Sequence, residues 1–362
     1  MTRGIQFPMF APQTEWVMPD GLKDLTGYKE IAIDLETNDP GLITSGSGSV
    51  VGRGHIAGIA VAVEGWSGYY PIQHENGGNI DKKLVFGWLQ EILNQENTTF
   101  IFHNAMYDVC WLRAAGLIIK GKIVDTMIAA SLVNENRFKF DLNSLAKEYV
   151  GIGKDENVLR IAAKDFGVDP KAEMWRMPAM YVGEYAERDA EVTLKLWQRL
   201  SIELHNEELM DIFNLETKLF PCLVDMRFKG VRVDLEHAAK LKKNLIIRED
   251  KILKNIKDLV GFDIEINAAR SIAKGFDKLK LPYDRTEKSN EPSFTKNFLQ
   301  NHPHPLPKAI ADAREINKAR TTFIDSITKH SSKGRIHADI NQIRSDQGGT
   351  VTGRFSMSNP NL

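Results

Sequence analysis

Apolar residues recur with two different spacings along the first 200 residues of the chain. Short runs rich in branched and aromatic side chains, which are typical of buried strands, occupy residues 31–37, 56–63, 68–72, 98–102 and 122–125. Helical spacing with a polar opposite face predicts a helix over residues 81–93, and further helices are predicted over 105–115 and 126–132. Strands followed by helices in this way predict an α/β sheet with helices on its faces.

The pattern changes in the second half of the chain. Two helices are predicted over residues 179–188 and 189–208, and longer ones over 215–229, 235–259 and 308–327. The helix over 235–259 carries seven basic residues, at positions 240, 242, 243, 248, 251, 254 and 257. Such a charge run fits a solvated helix face as well as it fits a DNA-contacting face. Residues 44–54, rich in Gly and Ser, are predicted to form a flexible loop.

Composition and charge narrow the class of protein. The chain has 362 residues, 42% hydrophobic and 26% charged, which is ordinary for a globular protein with two domains. Two widely separated cysteines argue against a disulfide framework and favour a reducing compartment. Residues 1–200 carry 20 Lys and Arg against 26 Asp and Glu, a net of −6, whereas residues 201–362 carry 27 against 22, a net of +5. An acidic cation-binding part beside a basic, polyanion-binding part would give this asymmetry.

Two acidic residues, Asp34 and Glu36, interrupt the first predicted strand. Side chains two residues apart on a strand share a face, so both carboxylates would point the same way. Paired carboxylates repel each other and lose solvation unless a cation lies between them, which predicts a metal site. The Asp-x-Glu spacing occurs four times in the chain, however, and by itself also fits an ordinary strand that enters an acidic loop.

Two further pairs of polar residues have helical i, i+4 spacing. Asn104 and Asp108 follow the strand over 98–102, and Tyr185 and Asp189 lie on a later predicted helix. The Asn-x3-Asp and Tyr-x3-Asp patterns each occur once in the chain. Taken singly, Asp108 fits an exposed helix residue and Tyr185 a partly buried aromatic residue. Taken together and in this order, they point to one site.

The three patterns together resemble the exonuclease motifs of the DEDD superfamily, in its tyrosine-bearing subclass. Asp125-Thr126-Met127 and the Leu142-x-x-Leu145-Ala146 segment resemble the connecting parts of that domain, and the resemblance covers residues 25–205. It implies a ribonuclease H-like mixed α/β sheet flanked by helices, and a phosphodiester hydrolase that uses two divalent ions. Carboxylate and water ligands favour Mg²⁺ or Mn²⁺ over zinc.

The resemblance also implies a role for each residue. Asp34 would bridge both ions, Glu36 and Asp189 would complete one ion, and Asp108 would hold the other through water. Tyr185 would orient the attacking water; because a phenol with a pKa near 10 is a poor base, the metal would deprotonate the water.

Two more residues are expected to contact the end of a DNA strand. Asn104 would contact the backbone of the terminal nucleotide. Relatives place a Leu six residues after the first Asp to wedge the terminal base, but this chain has Pro40 there. Leu42 lies nearby and is the candidate for the wedge.

The C-terminal segments resemble family A DNA polymerases of the DNA polymerase I type, in the thumb and the opening of the palm. The matching segments are Arg314-x3-Lys318-x2-Thr321, Gly334-Arg335-x-His337, Thr350-x-Thr352-Gly353-Arg354-Phe355-Ser356 and Asn359-Pro360-Asn361-Leu362. By this resemblance His337 and Arg354 would lie near the primer-template backbone as positioning contacts. The sequence stops before the palm aspartates and the fingers, so no DNA synthesis by this chain alone is expected.

These resemblances predict four regions: a lead-in over 1–24, a 3′-5′ exonuclease domain over 25–208, a helical thumb-like region over 209–333 and the start of a palm over 334–362. Residues 334–362 are expected to pack poorly, because edge strands without partners have little to hold them. The expected activity is metal-dependent removal of nucleoside monophosphates from single-stranded DNA 3′ ends, as proofreading in DNA replication.

Other functions stay open at this stage. The alternatives are a DNA-binding or split-polymerase assembly module with little nuclease activity of its own, and an RNA-trimming 3′-5′ exonuclease. The expected partners are single-stranded DNA 3′ ends, primer-template DNA and a complementary C-terminal polymerase chain, with no membrane. Without a secretory signal or a long apolar stretch, a bacterial or phage-infected cytoplasm is the expected location.

Overall fold

The computed structural model describes residues 13–153, 156–344 and 348–361. Its residues fall into two compact units. The first unit contains the chain up to Gly230 together with the chain from His337 onward, and the second contains Val231–Ile336. Among the described residues, none of the helices combines the length and hydropathy that crossing a bilayer requires.

A five-stranded mixed sheet forms the centre of the first unit. Its strands are β1 (Glu30–Asn38), β2 (His55–Val63), β3 (Trp66–Pro71), β4 (Thr99–Phe102) and β5 (Lys122–Asp125), in the spatial order β3-β2-β1-β4-β5. β1 pairs antiparallel with β2 and parallel with β4, while β5 runs parallel to β4 at one edge. The mixed α/β class is confirmed, and each of these strands coincides with a predicted apolar run.

Eight helices accompany this sheet in the part of the chain that the structure describes. They are α1 (Leu42–Ser45), α2 (Lys82–Leu93), α3 (Ala105–Ala114), α4 (Thr126–Val133), α5 (Leu142–Tyr149), α6 (Asn157–Phe166), α7 (Gly183–Asn206) and α8 (Met210–Lys229). The predicted division of α7 at residues 188–189 is wrong, because Arg188-Asp189 contains no helix breaker and the helix continues. The predicted flexible loop over 44–54 holds the end of α1 and a 3₁₀ turn, Ser49–Val51.

The alternation along β1 places two different sets of side chains on the two faces of the sheet. Ile31, Ile33 and Leu35 join the core that packs against α2 and α3. Ala32 joins the core on the opposite face, which is built with α4, α5, α6 and α7. Because side chains on a strand alternate, the odd and even positions of β1 separate the apolar face from the face that carries its carboxylates.

The second unit is mostly helical and has its own core. Its helices are α9 (Leu235–Val260), α10 (Ala269–Lys278), α11 (Lys296–Asn301), α12 (Pro305–Lys318), which continues as a π-helix over Ala319–Ile324, and α13 (Asp325–His330). Its short strands are β6 (Val231–Arg232), β7 (Asp284–Arg285), β8 (Pro292–Ser293), β9 (Ser331–Ser332) and β10 (Arg335–Ile336). The aromatic core around Phe276 holds α10, α11 and α12 together. Six of the seven basic residues of α9 are exposed.

The segment from His337 onward packs within the first unit. Its strands β11 (Asp339–Asn341) and β12 (Ser356–Ser358) form an antiparallel pair. Arg227 of α8 forms an ion pair with Asp339, and the Ser131 hydroxyl donates to the carbonyl of Arg344 at 2.7 Å. The expectation that this segment packs poorly is therefore wrong for residues 337–344, to which α8 and α4 supply polar partners, whereas residues 351–355 are exposed.

Candidate active site

Asp34 and Glu36 lie on β1 and point to the face of the sheet that α7 covers. Their neighbours across the β1–β2 ladder are Ala60 and Gly58, two residues with little or no side chain. Glu36 is buried, with 7% of its surface exposed, and Asp34 is half-buried. The first predicted motif therefore has the shared face that its spacing requires.

Asp108 is joined to the first motif through the backbone. It lies in the first turn of α3 with 4% of its surface exposed, and its Oδ1 accepts a hydrogen bond from the N–H of Leu35 at 3.2 Å. Leu35 stands between the two acids of β1, so this bond brings the third carboxylate beside them. Burial, and next the charge of Asp34, raise the pKa of Asp108 well above its ordinary value.

Asn104 and Asp125 build the start of α3. Asn104 has a left-handed backbone, with φ of 65°, a conformation that Asn tolerates better than most residues. Asp125, at the end of β5, accepts hydrogen bonds from the N–H groups of Asn104 (3.0 Å), Ala105 (2.8 Å) and Met127 (2.8 Å). One buried carboxylate thus caps both α3 and α4, and burial raises its pKa to about 6. The sequence feature that could have indicated this capping role is the position of Asp125, an acidic residue between a predicted strand and a predicted helix.

Tyr185 and Asp189 approach the same face from α7. Asp189 is 5% exposed, and Tyr185 packs against the apolar core that holds α7 on the sheet. Burial raises the pKa of Tyr185 well above its ordinary value, and the charges of Asp189, Glu36 and Asp34 raise it further. The three sequence motifs therefore meet on one face of the sheet. The raised pKa keeps the Tyr185 phenol neutral at any physiological pH.

The chemistry of this group of residues fits a hard divalent cation. Carboxylates that repel one another, as half-buried Asp34 and buried Asp108 do, are stabilised by a positive ion with oxygen ligands. Among the described residues, no three His, Cys, Asp or Glu side chains are positioned together as ready-made metal ligands.

Sequence reasoning did not identify three residues that support the strand carrying Glu36, namely Tyr69, His74 and Gly58. Tyr69 is fully buried on β3, and its hydroxyl is 2.6 Å from His74 Nε2. His74 Nδ1 donates to the carbonyl of Met177 at 3.0 Å, so Nε2 accepts from Tyr69; burial lowers the pKa of His74 to about 4 and keeps it neutral.

Gly58 makes this arrangement possible. A Cβ at position 58 would lie 2.0 Å from the Tyr69 hydroxyl oxygen, so only glycine leaves room for that side chain. Gly58 is also the residue that faces Glu36 across the β1–β2 ladder. A glycine inside a strand pattern was the available signal, since it often marks the close approach of another group.

The remaining predicted DNA contacts lie at other places in the first unit. Leu42 is on α1, just after β1, and is 38% exposed. His337 is half-buried and its Nδ1 donates to the carbonyl of Arg227 at 2.8 Å. Arg354 is exposed, and its backbone carbonyl accepts a hydrogen bond from the Thr350 hydroxyl at 2.9 Å. Their roles stay predictions.

Two protein-family models match the chain. Residues 11–205 match the model described as 3′-5′ exonuclease. Residues 235–362 match the model described as DNA polymerase family A. The first match contains every residue of the carboxylate site described above.

Similar proteins are DNA polymerases of phages and bacteria. A DNA-directed DNA polymerase of Pseudomonas phage M6 is 33% identical over 377 residues, which cover 99% of this chain and 56% of the relative. DNA polymerase DpoZ of Acinetobacter phage SH-Ab 15497 is 30% identical, with 81% of this chain and 50% of the relative covered. DNA polymerase I of Pseudomonas aeruginosa PAO1 is 28% identical, with 94% of this chain and 37% of the relative covered. The chain thus spans about half the length of the phage relatives.

A solved structure has the same fold. It is the POL domain of Pol1 from M. smegmatis in complex with DNA primer-template and dNTP, with a TM-score of 0.70 and 18% sequence identity. The likeness covers 93% of this chain and 52% of that one.

Proposed function

Because the chain belongs to the 3′-5′ exonuclease family of family A DNA polymerases, we propose that it removes nucleoside monophosphates from single-stranded DNA 3′ ends. The observation that carries this proposal is the meeting of three motifs on one face of the sheet. Glu36 and Asp108 are buried there beside half-buried Asp34. Burial, and next the charges of Asp189, Glu36 and Asp34, raise the pKa of Tyr185 of α7.

Hydrolysis of a phosphodiester needs a nucleophile at neutral pH and neutralisation of charge on the phosphate and the leaving oxygen. Two divalent ions, Mg²⁺ or Mn²⁺, supply both when bound. Asp34, Glu36, Asp108 and Asp189 are the residues that would hold them. The N–H of Leu35 keeps Asp108 next to β1 and so fixes one side of the site.

Tyr185 has a positioning role in this proposal. Its raised pKa keeps the phenol protonated, so it can donate a hydrogen bond to the attacking water but cannot remove a proton from it. Asn104, at the start of α3, would contact the backbone of the terminal nucleotide, and Leu42 would contact its base.

The exonuclease would serve proofreading during DNA replication, in a bacterial or phage-infected cytoplasm. The match of residues 235–362 to family A DNA polymerases supports the role in DNA replication. The exposed basic residues of α9 are suited to phosphate contacts with primer-template DNA. His337 and Arg354 would add contacts that position the duplex.

One observation favours a second function, a DNA-binding or polymerase-assembly module with weak nuclease activity. The described carboxylates are not positioned as a ready-made metal site. Under this alternative the chain would bind DNA in Mg²⁺ without shortening it. A complementary polymerase chain would then be the partner that completes its activity.

Digestion of end-blocked oligonucleotides tests the proposal. Single-stranded DNA blocked at the 3′ or the 5′ end is incubated with Mg²⁺, Mn²⁺ or EDTA, and the same oligomer is tested as RNA. Stepwise shortening from a free 3′ end, lost in EDTA and in Asp34→Ala, is the expected result. Asp165→Ala, an exposed position on α6, is the matched control and should retain activity.

The other outcomes are equally informative. Binding without cleavage in both metals would overturn the nuclease proposal and favour the assembly module. Faster digestion of RNA than of DNA would instead make the chain an RNA-trimming exonuclease.

A further inference from the structure

A groove of about 810 Å³ lies in the first unit between α8 and the loop that leads into β5. One of its walls includes Val109 of α3. Adjacent residues on a helix point about 100° apart, so this wall lies on a different face of α3 from Asp108. The groove is therefore separate from the carboxylate site.

The walls of the groove are largely aliphatic. They are formed by Leu117, Ile118, Ile119, Ile123, Phe220 and Val224. Ile118 is 65% exposed, so its side chain is available to a partner that enters the groove. Phe220, the aromatic residue among them, is buried and presents no free ring face for stacking a base.

In the described part of the chain, the backbone along the groove offers hydrogen-bonding groups that the β4–β5 ladder and helix α8 do not use. β5 is an edge strand, and the N–H of Lys122 donates to Thr98 on the β4 side at 3.0 Å. Because alternate residues of a parallel strand bond to the same neighbour, the N–H and C=O of Ile123 point away from β4 and toward the groove. On the opposite wall, Pro221 of α8 lacks an N–H. The carbonyl of Thr217, one turn earlier, therefore does not receive the usual helical hydrogen bond.

The rim of the groove is positively charged. Four cationic side chains line it, Arg113, Lys120, Lys122 and Lys218, against one carboxylate, Asp225. Asp225 is already paired with Arg113. Lys122 and Lys218 both line the groove, and burial, and next the repulsion from Lys218, lower the pKa of Lys122. An anionic group between them would relieve this repulsion.

We propose that this groove binds an acidic, apolar peptide segment of a partner protein in an extended conformation along β5. The peptide backbone would pair with Ile123, its apolar side chains would cover Ile118 and its neighbours, and its carboxylates would meet Lys122 and Lys218. Addition of a strand to an exposed sheet edge is a common mode of peptide recognition. The aliphatic walls favour such a peptide over a single-stranded nucleic acid, whose bases stack on exposed aromatic rings.

Fluorescence anisotropy of a labelled peptide tests this inference on the 362-residue chain. The probe is fluorescein-Asp-Leu-Asp-Phe-Asp-Leu-Asp, and the matched neutral probe has Asn at each Asp position. We expect saturable binding of the acidic probe, weakened at least tenfold in Lys122→Glu/Lys218→Glu and in Ile118→Ser. Lys83→Glu/Lys164→Glu, two exposed changes on α2 and α6, is the charge-matched control and should bind as the unaltered chain does.

Three results would overturn the proposal. Equal affinity of the acidic probe for the unaltered chain and the double variant, or no saturable binding at all, would show that the groove is not its site. A labelled 12-nucleotide single-stranded DNA that binds more weakly to the double variant and displaces the peptide would identify nucleic acid as the occupant. Exonuclease digestion should be unchanged in both groove variants, which separates this test from the test of the proposed function.

Discussion

The backbone N–H of Leu35 donates a hydrogen bond to Oδ1 of Asp108 at 3.2 Å. This bond connects α3 to β1 at the residue between Asp34 and Glu36. The position of the third carboxylate is thus set by the backbone of the first motif. The charge and the hydrogen-bonding role of Asp108 can therefore be separated by substitution.

Asp108→Asn should abolish catalysis without unfolding the chain. Asparagine keeps an oxygen acceptor for the Leu35 N–H and removes the repulsion with Asp34. We expect unchanged or higher stability in EDTA, with exonuclease activity lowered about a hundredfold or more. Asp108→Ala should cost about 1–3 kcal/mol of unfolding free energy, because a buried N–H loses its acceptor. Urea unfolding and oligonucleotide digestion measure the two effects; equal stability of the two variants would show that the bond is unimportant.

Mg²⁺ should stabilise the chain through the carboxylate site. Binding to the folded state alone adds about 2.7 kcal/mol at a free ion concentration a hundred times the dissociation constant. We expect the Tm to rise with Mg²⁺ in the absence of DNA, and the rise to disappear in Asp34→Asn. Asp165→Asn on α6 should keep the full shift. An identical Mg²⁺ shift in both variants would place the ion elsewhere.

Asp125 should make the chain less stable as the pH rises from about 4 to about 6. Its pKa is about 6 in the folded chain, against about 3.9 when unfolded, so the folded state binds more protons in this range. A favourable contribution present below pH 4 is thus lost as the pH rises through 6, on the order of 2–3 kcal/mol. Asp125→Asn should flatten this part of the pH dependence.

Urea unfolding at pH 4.5, 5.5 and 7 measures this effect. Asp125→Asn has its own cost, since the amide nitrogen cannot accept the bond that Oδ2 receives from Ala105. The comparison is therefore the slope against pH, and equal slopes for the two proteins would contradict the assignment to Asp125.

Gly58→Ala should destabilise the fold and lower activity in the protein that remains folded. The added Cβ would lie 2.0 Å from the Tyr69 hydroxyl oxygen, on the strand that faces Glu36. We expect a loss of about 1–3 kcal/mol, as for other overpacked cores. Gly87→Ala, on α2 with no atom within 4 Å of the new Cβ, should be neutral or stabilising. Thermal unfolding of both variants measures the contrast, and similar Tm values would refute it.

Tyr185→Phe should slow the chemical step by about tenfold to a hundredfold, because the attacking water loses a partner that orients it. The pH profile of the remaining activity should keep its shape, since the raised pKa of Tyr185 keeps it protonated throughout. Tyr181→Phe, in the same apolar core, is the matched control and should retain full activity. Single-turnover digestion measures the step; a changed basic limb in Tyr185→Phe would make the phenol a proton-transfer group.

Local periodicity was enough to predict the strands of the sheet and the shared face of Asp34 and Glu36. The order of the motifs predicted that Asp108, Tyr185 and Asp189 belong with them. The Leu35–Asp108 bond and the fit of Tyr69 over Gly58 could not be predicted, because they join residues 73 and 11 positions apart through the tertiary fold.

The wrong predictions have physical reasons as well. The helix boundary at 188–189 was placed without a Gly or Pro to end the helix, and α7 continues through it. Poor packing of the C-terminal segment was inferred from its strands alone. The partners come from side chains on other elements, such as Arg227, which pairs with Asp339, and Glu216, which accepts from Gln342.

The second unit begins and ends in neighbouring strands, since Val231 pairs with Ile336 and Arg232 with Arg335. Just outside these strands, His337 donates to the carbonyl of Arg227, so the two flanking ends of the first unit also touch each other. The second unit is thus an insertion in the sequence of the first unit, at a point where the two flanking ends of the first unit lie next to each other. A protein engineer could excise residues 231–336, join the ends with a short glycine linker and leave every strand of the five-stranded sheet intact.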